Sequence, residues 1–207
     1  TVDDAGLDKS DVQLIENLEK SEELKMRMYI MLSDTKENFD YYLDTVGGPY
    51  KTDRVHVAAF KFYGDGALGS RGACLLSPYS DVYSAHYGML LSNPDYYREK
   101  AQVIYDRGFQ MCTHSIGDST SRLILNIYGD ILGGENDKRW RIEHAQIVDS
   151  ADFKLFRKFN IIPSVQPTHA TSDMNWSRLR LGKKRVRFGY AYQKLLYQNN
   201  FIALGTD

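Results

Sequence analysis

Apolar positions along this chain of 207 residues recur with two different periods. Short apolar or β-branched runs near residues 25–32, 55–63, 109–114, 139–144, 161–166 and 201–205 predict about six strands. Helical spacing fills the intervals. Leu14, Ile15 and Leu18 follow Ser10-Asp11-Val12-Gln13, whose spacing is that of a capping box. Phe39, Tyr42, Leu43 and Val46 form a second stripe, closed by Gly47-Gly48-Pro49. A third, Tyr97, Ala101, Ile104 and Tyr105, starts at Asn93-Pro94 and stops at Gly108. Leu123, Ile124, Ile127 and Ile131 predict a fourth helix, and two more are expected at 149–159 and near 190–198. Strands alternating with helices predict an α/β chain with a parallel sheet. The irregular connection from Gly64 to about Ser92 is long for a compact domain and predicts a lid over the strand ends. A second loop is expected after Gln166.

Polar groups recur where the apolar runs end. The run Val55 to Phe62 carries Lys61 and breaks into Gly64-Asp65-Gly66, and the runs at 109 and 139 end in His114 and His144. The last run ends in Asp207. A lysine inside a strand must reach water, find a partner or lose its charge, which is easier at the mouth of a site than in a core. In a (β/α) barrel the strand ends open on one face, so residues far apart in sequence can converge there.

Five blocks in order carry a specific resemblance: Lys61 with Asp65-Gly66-Ala67-Leu68-Gly69-Ser70-Arg71, His114-Ser115-Ile116-Gly117-Asp118, Arg141-Ile142-Glu143-His144-Ala145-Gln146, Gln166-Pro167-Thr168-His169 and Gly205-Thr206-Asp207. Together they resemble the YtcJ-like branch of the metal-dependent amidohydrolases, amidohydrolase family 3, which includes N-substituted formamide deformylases. The resemblance implies a (β/α)8 TIM barrel of the metal-dependent hydrolase type, here incomplete, with residues 1–207 forming one partial barrel domain. It implies one or two divalent cations, expected to be zinc, held by Lys61, His114, His144 and Asp207. Asp207 would double as the catalytic acid and base. His169 and Arg71 would contact the substrate, a small molecule cleaved at an amide or formamide-type C–N bond that is not a peptide bond. Relatives place at Lys61 a lysine that carbon dioxide can carbamylate; the alternative here is an ion pair with Glu143 or Asp65.

One departure bears on activity. The family's His-x-His pair on the first strand has no counterpart, since no two of the five histidines are two residues apart. The chain is therefore expected to be an inactive segment of a longer enzyme, with Lys61 unmodified and protonated in the segment alone. It lacks an initiating methionine, and the missing strands and flanking small β domain would leave open sheet edges that invite a homo-oligomer.

Composition narrows the partners. Lysine and arginine (26) nearly balance aspartate and glutamate (27), so no long-range field favours nucleic acid. The run Gly182-Lys183-Lys184-Arg185-Val186-Arg187 reads as a solvated loop. No apolar stretch approaches the roughly 20 residues that span a bilayer, so no membrane association is expected and the cytoplasm is the expected compartment, with a removed targeting segment left open. Cys74 and Cys112 lack metal-binding or redox spacing. Two further function classes remain. Gly64-Asp65-Gly66-Ala67-Leu68-Gly69 matches the GxGxxG fingerprint of an NAD(P)-binding oxidoreductase, although Asp65 would set a carboxylate beside a pyrophosphate. A non-catalytic barrel scaffold is the other.

Overall fold

The computed structural model describes residues 1–207 and divides into two compact units. The first comprises residues 1–62 and 100–112, the second residues 63–99 and 113–207.

In the first unit, β1 (Val2–Leu7) pairs in parallel with β2 (Met28–Ser33). In turn β2 pairs in parallel with β4 (Val55–Tyr63), Ser33 lying opposite Lys61. The short β3 (Tyr50–Lys51) runs antiparallel to β4, and β5 (Gln110–Ser115) follows β4 in the sheet order. Nearly all of β4 is buried, which is why its sequence is a continuous apolar run rather than an alternation. Phe60 is fully buried, stacks on Phe39 at 5.2 Å and meets Phe109 edge-on at 5.1 Å.

Helix α1 (Lys9–Lys20) starts two residues earlier than its Ser10 capping box predicts, because Asp8 caps it reciprocally with Asp11. Helix α2 (Lys36–Asn38) is capped by Thr35 and continues as a π-helix over Phe39–Thr45. Its buried Asn38 donates from Nδ2 to the carbonyls of Leu7 and Ser33, at 3.1 and 2.9 Å, and so ties together the C-terminal ends of β1 and β2.

In the second unit the C-terminal half of β5 is followed in the sheet by β6 (Arg141–His144), β7 (Ile162–Val165) and β8 (Ala203–Leu204). Both β6–β7 and β7–β8 are parallel pairs. Helix α3 (Pro94–Asp106) passes from the second unit into the first. Helix α4 (Asp118–Leu132) buries Ile124, Leu125, Ile127 and Tyr128, while α5 (Phe153–Lys158) buries Phe153 and Phe156.

Seven parallel strands alternating with helices make this an incomplete (β/α) barrel chain, one strand more than the pattern predicts. The additional strand, Val2–Leu7, has only half-buried or exposed positions, so it carries no apolar run to announce it. The expected second loop instead holds α6 (Pro167–Asp173) and α7 (Ser177–Arg185), followed by a 3-10 turn and α8 (Tyr192–Asn199). The basic run falls in α7 and that turn, and α7 has no readable stripe because it buries only Ser177 and Leu181.

The long connection at 64–92 is packed rather than a loose cover. Leu68, Ala73, Leu75 and Tyr79 are buried and form one cluster with Ile116, Ile147 and Leu181. No helix follows Gly64 until Pro94, so the glycine motif lacks the helix N-terminus on which a dinucleotide pyrophosphate would rest.

Replacing Phe60 by Ala removes a fully buried ring and both aromatic contacts. The expected cost is about 3–5 kcal/mol, read as a lowered urea midpoint at unchanged denaturant dependence.

Candidate metal centre

The second unit gathers its polar strand ends by means of Asp65. This carboxylate is almost fully buried just beyond β4. Its Oδ2 accepts hydrogen bonds from the Cys74 N–H (2.9 Å), the Gly117 N–H (2.8 Å) and the Thr120 hydroxyl (2.8 Å), and Oδ1 accepts from the Ile116 N–H at 3.0 Å. Burial pushes its pKa up to about 6 against the lowering effect of these bonds. The segments after β4 and β5 meet at backbone distance. A Cβ on Gly64 would lie 2.7 Å from the His114 carbonyl oxygen, and one on Gly117 would lie 2.0 Å from that of Cys74. The glycines therefore serve close backbone approach.

Beside this hub stands His114, whose Nε2 is 3.6 Å from Asp65 Oδ1, beyond a direct hydrogen bond. Its ring meets that of His144 edge-on, with centroids 4.5 Å apart. His144 ends β6 with a backbone φ of +72°, and Ala145 follows at +42°. Two consecutive non-glycine residues in the left-handed region cost on the order of 1–3 kcal/mol each, and strain of this kind concentrates at functional sites. Two backbone bonds hold the bend: Ile147 N–H donates to the Ile116 carbonyl at 2.9 Å, and Tyr190 N–H to that of Gln146 at 2.7 Å.

The ring of His169, on α6, lies nearly parallel to that of His144, with centroids 5.6 Å apart and an interplanar angle of 7°. Its Nε2 is 3.4 Å from Asp207 Oδ2. His144, His169 and Asp207 each offer one donor atom such that all three lie within 4.8 Å of one another. Two imidazoles and a carboxylate are a donor set suited to zinc and similar divalent cations, so the residues present fit such an ion.

The site residues expected from sequence are thus brought together in part. His114, His144, His169 and Asp207 belong to the second unit and are linked by the contacts above. His169 joins the donor group, whereas His114 lies outside it. Lys61 is buried in β4 and belongs to the first unit. Arg71 is engaged elsewhere: its Nε and Nη2 donate to both carboxylate oxygens of Asp81, at 3.1 and 3.0 Å. Arg180 of α7 also binds Asp81 and donates from Nε and Nη2 to the Gly69 carbonyl at 3.2 and 3.1 Å. The Arg71 guanidinium holds Asp81 below the ordinary carboxylate range.

Two further groups were given no role from the sequence. Asp81 sits in a featureless polar stretch. Tyr190, Asp173 and Gln146 form a network, Tyr190 Oη donating to Asp173 Oδ2 at 2.6 Å and Gln146 Nε2 reaching the same oxygen at 3.3 Å. Burial raises the Tyr190 phenol, and its bond to Asp173 adds to the shift.

Fold and site together define a metal-dependent hydrolase type of barrel. The model of the amidohydrolase family matches residues 2–207, and the chain belongs to that family. It is 29% identical over 203 residues to Protein LONG AFTER FAR-RED 3 of Arabidopsis thaliana, covering 97% of this chain and 34% of that protein. To YtcJ of Bacillus subtilis (strain 168) it is 30% identical over 165 residues, covering 80% of this chain and 30% of that protein. It therefore spans about a third of the length of these relatives. Among solved structures, an uncharacterized metal-dependent hydrolase from Pyrococcus furiosus matches with a TM-score of 0.85 at 25% identity, covering 99% of this chain and 41% of that one. One from Pyrococcus horikoshii OT3 matches with a TM-score of 0.86 at 26% identity, covering 99% and 40%.

Asp65→Asn turns one accepting oxygen into a donor facing backbone N–H groups, with an expected cost of about 1–3 kcal/mol. Asp65→Ala orphans four buried donors and is expected to cost more, both changes read by thermal or urea denaturation. The Asp81 clamp has a pH signature. Because its folded pKa is depressed, its stabilisation is present above the unfolded carboxylate value of about 3.9 and is lost as pH falls through the lower folded value. Protease cleavage within 64–92 is expected to rise at neutral pH in Asp81→Asn, and in the wild type only below about pH 4.

Proposed function

We propose that the protein carrying this chain is a metal-dependent hydrolase of small molecules, cleaving an amide or formamide-type C–N bond other than a peptide bond. The observation that carries this reading is the convergence of donor atoms from His144 at the end of β6, His169 on α6 and Asp207 just beyond β8. A scaffold has no need of such a convergence, still less of the strained backbone at His144 and Ala145. Family membership supports the hydrolase class, and the C–N bond is our extension of it.

His144, His169 and Asp207 would hold the cation, with His114 flanking it. Zinc suits the mixed imidazole and carboxylate donors best. When bound, such an ion supplies an acidified water at neutral pH and a positive charge that polarises the scissile carbonyl. Asp207 Oδ2 would accept the proton of the attacking water and return it to the leaving nitrogen. The carboxylate is half exposed, so a small molecule can approach it. For Lys61 in the full-length enzyme two forms stand side by side: a carbamate whose charge the cations would share, and an ammonium paired with a carboxylate such as Glu143 or Asp65. Arg71, already bidentate on Asp81, would shape the loop rather than contact substrate.

The test is a panel of N-formyl and N-acyl amines assayed with the full-length protein before and after chelation and zinc replacement. Activity is expected to vanish on chelation and return with zinc. His144→Ala is expected to abolish hydrolysis and lower the bound metal together; unchanged rate and metal content in that variant would overturn the assignment.

A further inference from the structure

We propose that Tyr63 sets the substrate preference of this protein: its ring forms the apolar end of an acyl subsite and selects amides of aromatic acids over formamides and short acyl amides. The proposal deepens the hydrolase reading above and rests on it, because it takes the scissile carbonyl to lie at the donor group of His144, His169 and Asp207.

Strand β4 is buried along its length apart from the half-buried His56 and its last residue, Tyr63, which is 44% exposed. A single aromatic ring on a surface is common and by itself means little. Tyr63, however, stands at the C-terminal end of a barrel strand, the face on which such folds carry their sites, and its ring centroid lies 5.7 Å from that of His114 with the planes tilted by 41°. His114 in turn meets His144, and His144 stacks on His169, which reaches Asp207. The four rings thus touch one after the next, and the two groups that end this succession, the Tyr63 ring and the Asp207 carboxylate, are its exposed members.

The order of these groups orients a substrate. A leaving nitrogen that takes its proton from Asp207 lies at the Asp207 end. The acyl substituent sits on the other side of the carbonyl carbon and extends past His114 toward Tyr63. A formyl group has only hydrogen in that direction and leaves the Tyr63 ring in water, whereas an aromatic acyl group covers it. Rings that meet offset or edge-on at about 4.5–7 Å gain more than the burial of their area provides.

The backbone that bears the ring is fixed. Tyr97 of α3, itself fully buried, donates from Oη to the Tyr63 carbonyl at 2.7 Å, and the next residue, Gly64, donates its N–H to the His114 carbonyl at 2.9 Å. Tyr63 is therefore tied to the strand end that carries His114. A recognition group on a rigid element keeps its distance from the reacting atoms and so discriminates between substrates by their shape.

The experiment uses the full-length, metal-loaded protein with the phenylacetyl, cyclohexylacetyl, acetyl and formyl amides of one amine, and compares kcat/KM in the wild type, Tyr63→Phe and Tyr63→Ala. The wild type is expected to favour the phenylacetyl amide over the other three. The phenylacetyl-to-acetyl ratio is expected to fall by about 3–10-fold in Tyr63→Ala, the worth of one aromatic contact, and to be kept in Tyr63→Phe. An unchanged ratio in Tyr63→Ala would overturn the proposal whatever the absolute rates, as would a wild-type preference for any of the other three amides. Either result leaves the hydrolase reading standing so long as chelation abolishes the rate observed. Absence of metal-dependent hydrolysis of all four amides would overturn both. Should Tyr63→Ala fail to fold, inhibition of the wild type by the free acids decides: phenylacetate is expected to inhibit more strongly than cyclohexylacetate, and equal or weaker inhibition counts against Tyr63.

Discussion

A carboxylate taken out of water must be met by donors or it unfolds what surrounds it, and Asp65 is the point where this chain meets that demand. Its four hydrogen bonds come from Cys74 in the long connection, from Ile116 and Gly117 just beyond β5, and from Thr120 in the first turn of α4. The Ser119 N–H to Cys74 carbonyl bond at 3.1 Å and the Leu76 N–H to Asp118 Oδ1 bond at 2.9 Å join the same segments, and the two Asp65 oxygens add the buried part of the link. Gly64 and Gly117 are the counterpart in shape, because only a residue without a side chain lets the backbones come close enough for Asp65 to reach all four donors.

From that anchor the site follows outward. Ile116 carries the Asp65 bond on its N–H and offers its carbonyl to Ile147, which fixes the bend at His144 and Ala145. Gln146, inside the bend, reaches Asp173 and Tyr190, and these orient the helix bearing His169. The strained backbone at His144 is therefore held by contacts on both sides, as unfavourable φ values must be if they are to persist. The donor group is the end of a chain of hydrogen bonds whose links are buried or half-buried.

The long connection takes a different part from the one its length implies. It contributes Leu68, Ala73, Leu75 and Tyr79 to a buried cluster and is braced by Asp81 between Arg71 and Arg180. Arg185 adds a bond of 2.7 Å to the Ser77 carbonyl. Such a segment acts as a wall that holds its shape, and the arginine of the Gly-Ser-Arg block is used in building it.

Much was legible from sequence because the physics behind it is local. Continuous apolar runs marked the buried parallel strands, helical stripes marked the helices that face them, and chemistry-bearing residues stood out at the strand ends because each interrupts an apolar run. The motif blocks named the family, which the match over residues 2–207 bears out. What stayed hidden was non-local. The strand Val2–Leu7 buries too little to show a pattern, and α6 and α7 are helices set by tertiary contact rather than by an apolar stripe. Asp65 entered the sequence reading as the first residue of a motif block, as a partner for Lys61 and as a misfit beside a phosphate, and its hub role depends on donors 9 to 55 positions away. The sequence by itself determined which side chains could bind a cation. Only the tertiary structure decided that His144, His169 and Asp207 share one donor group, because the separation of atoms on three different elements is set by packing and hydrogen bonds among loops that no local pattern encodes.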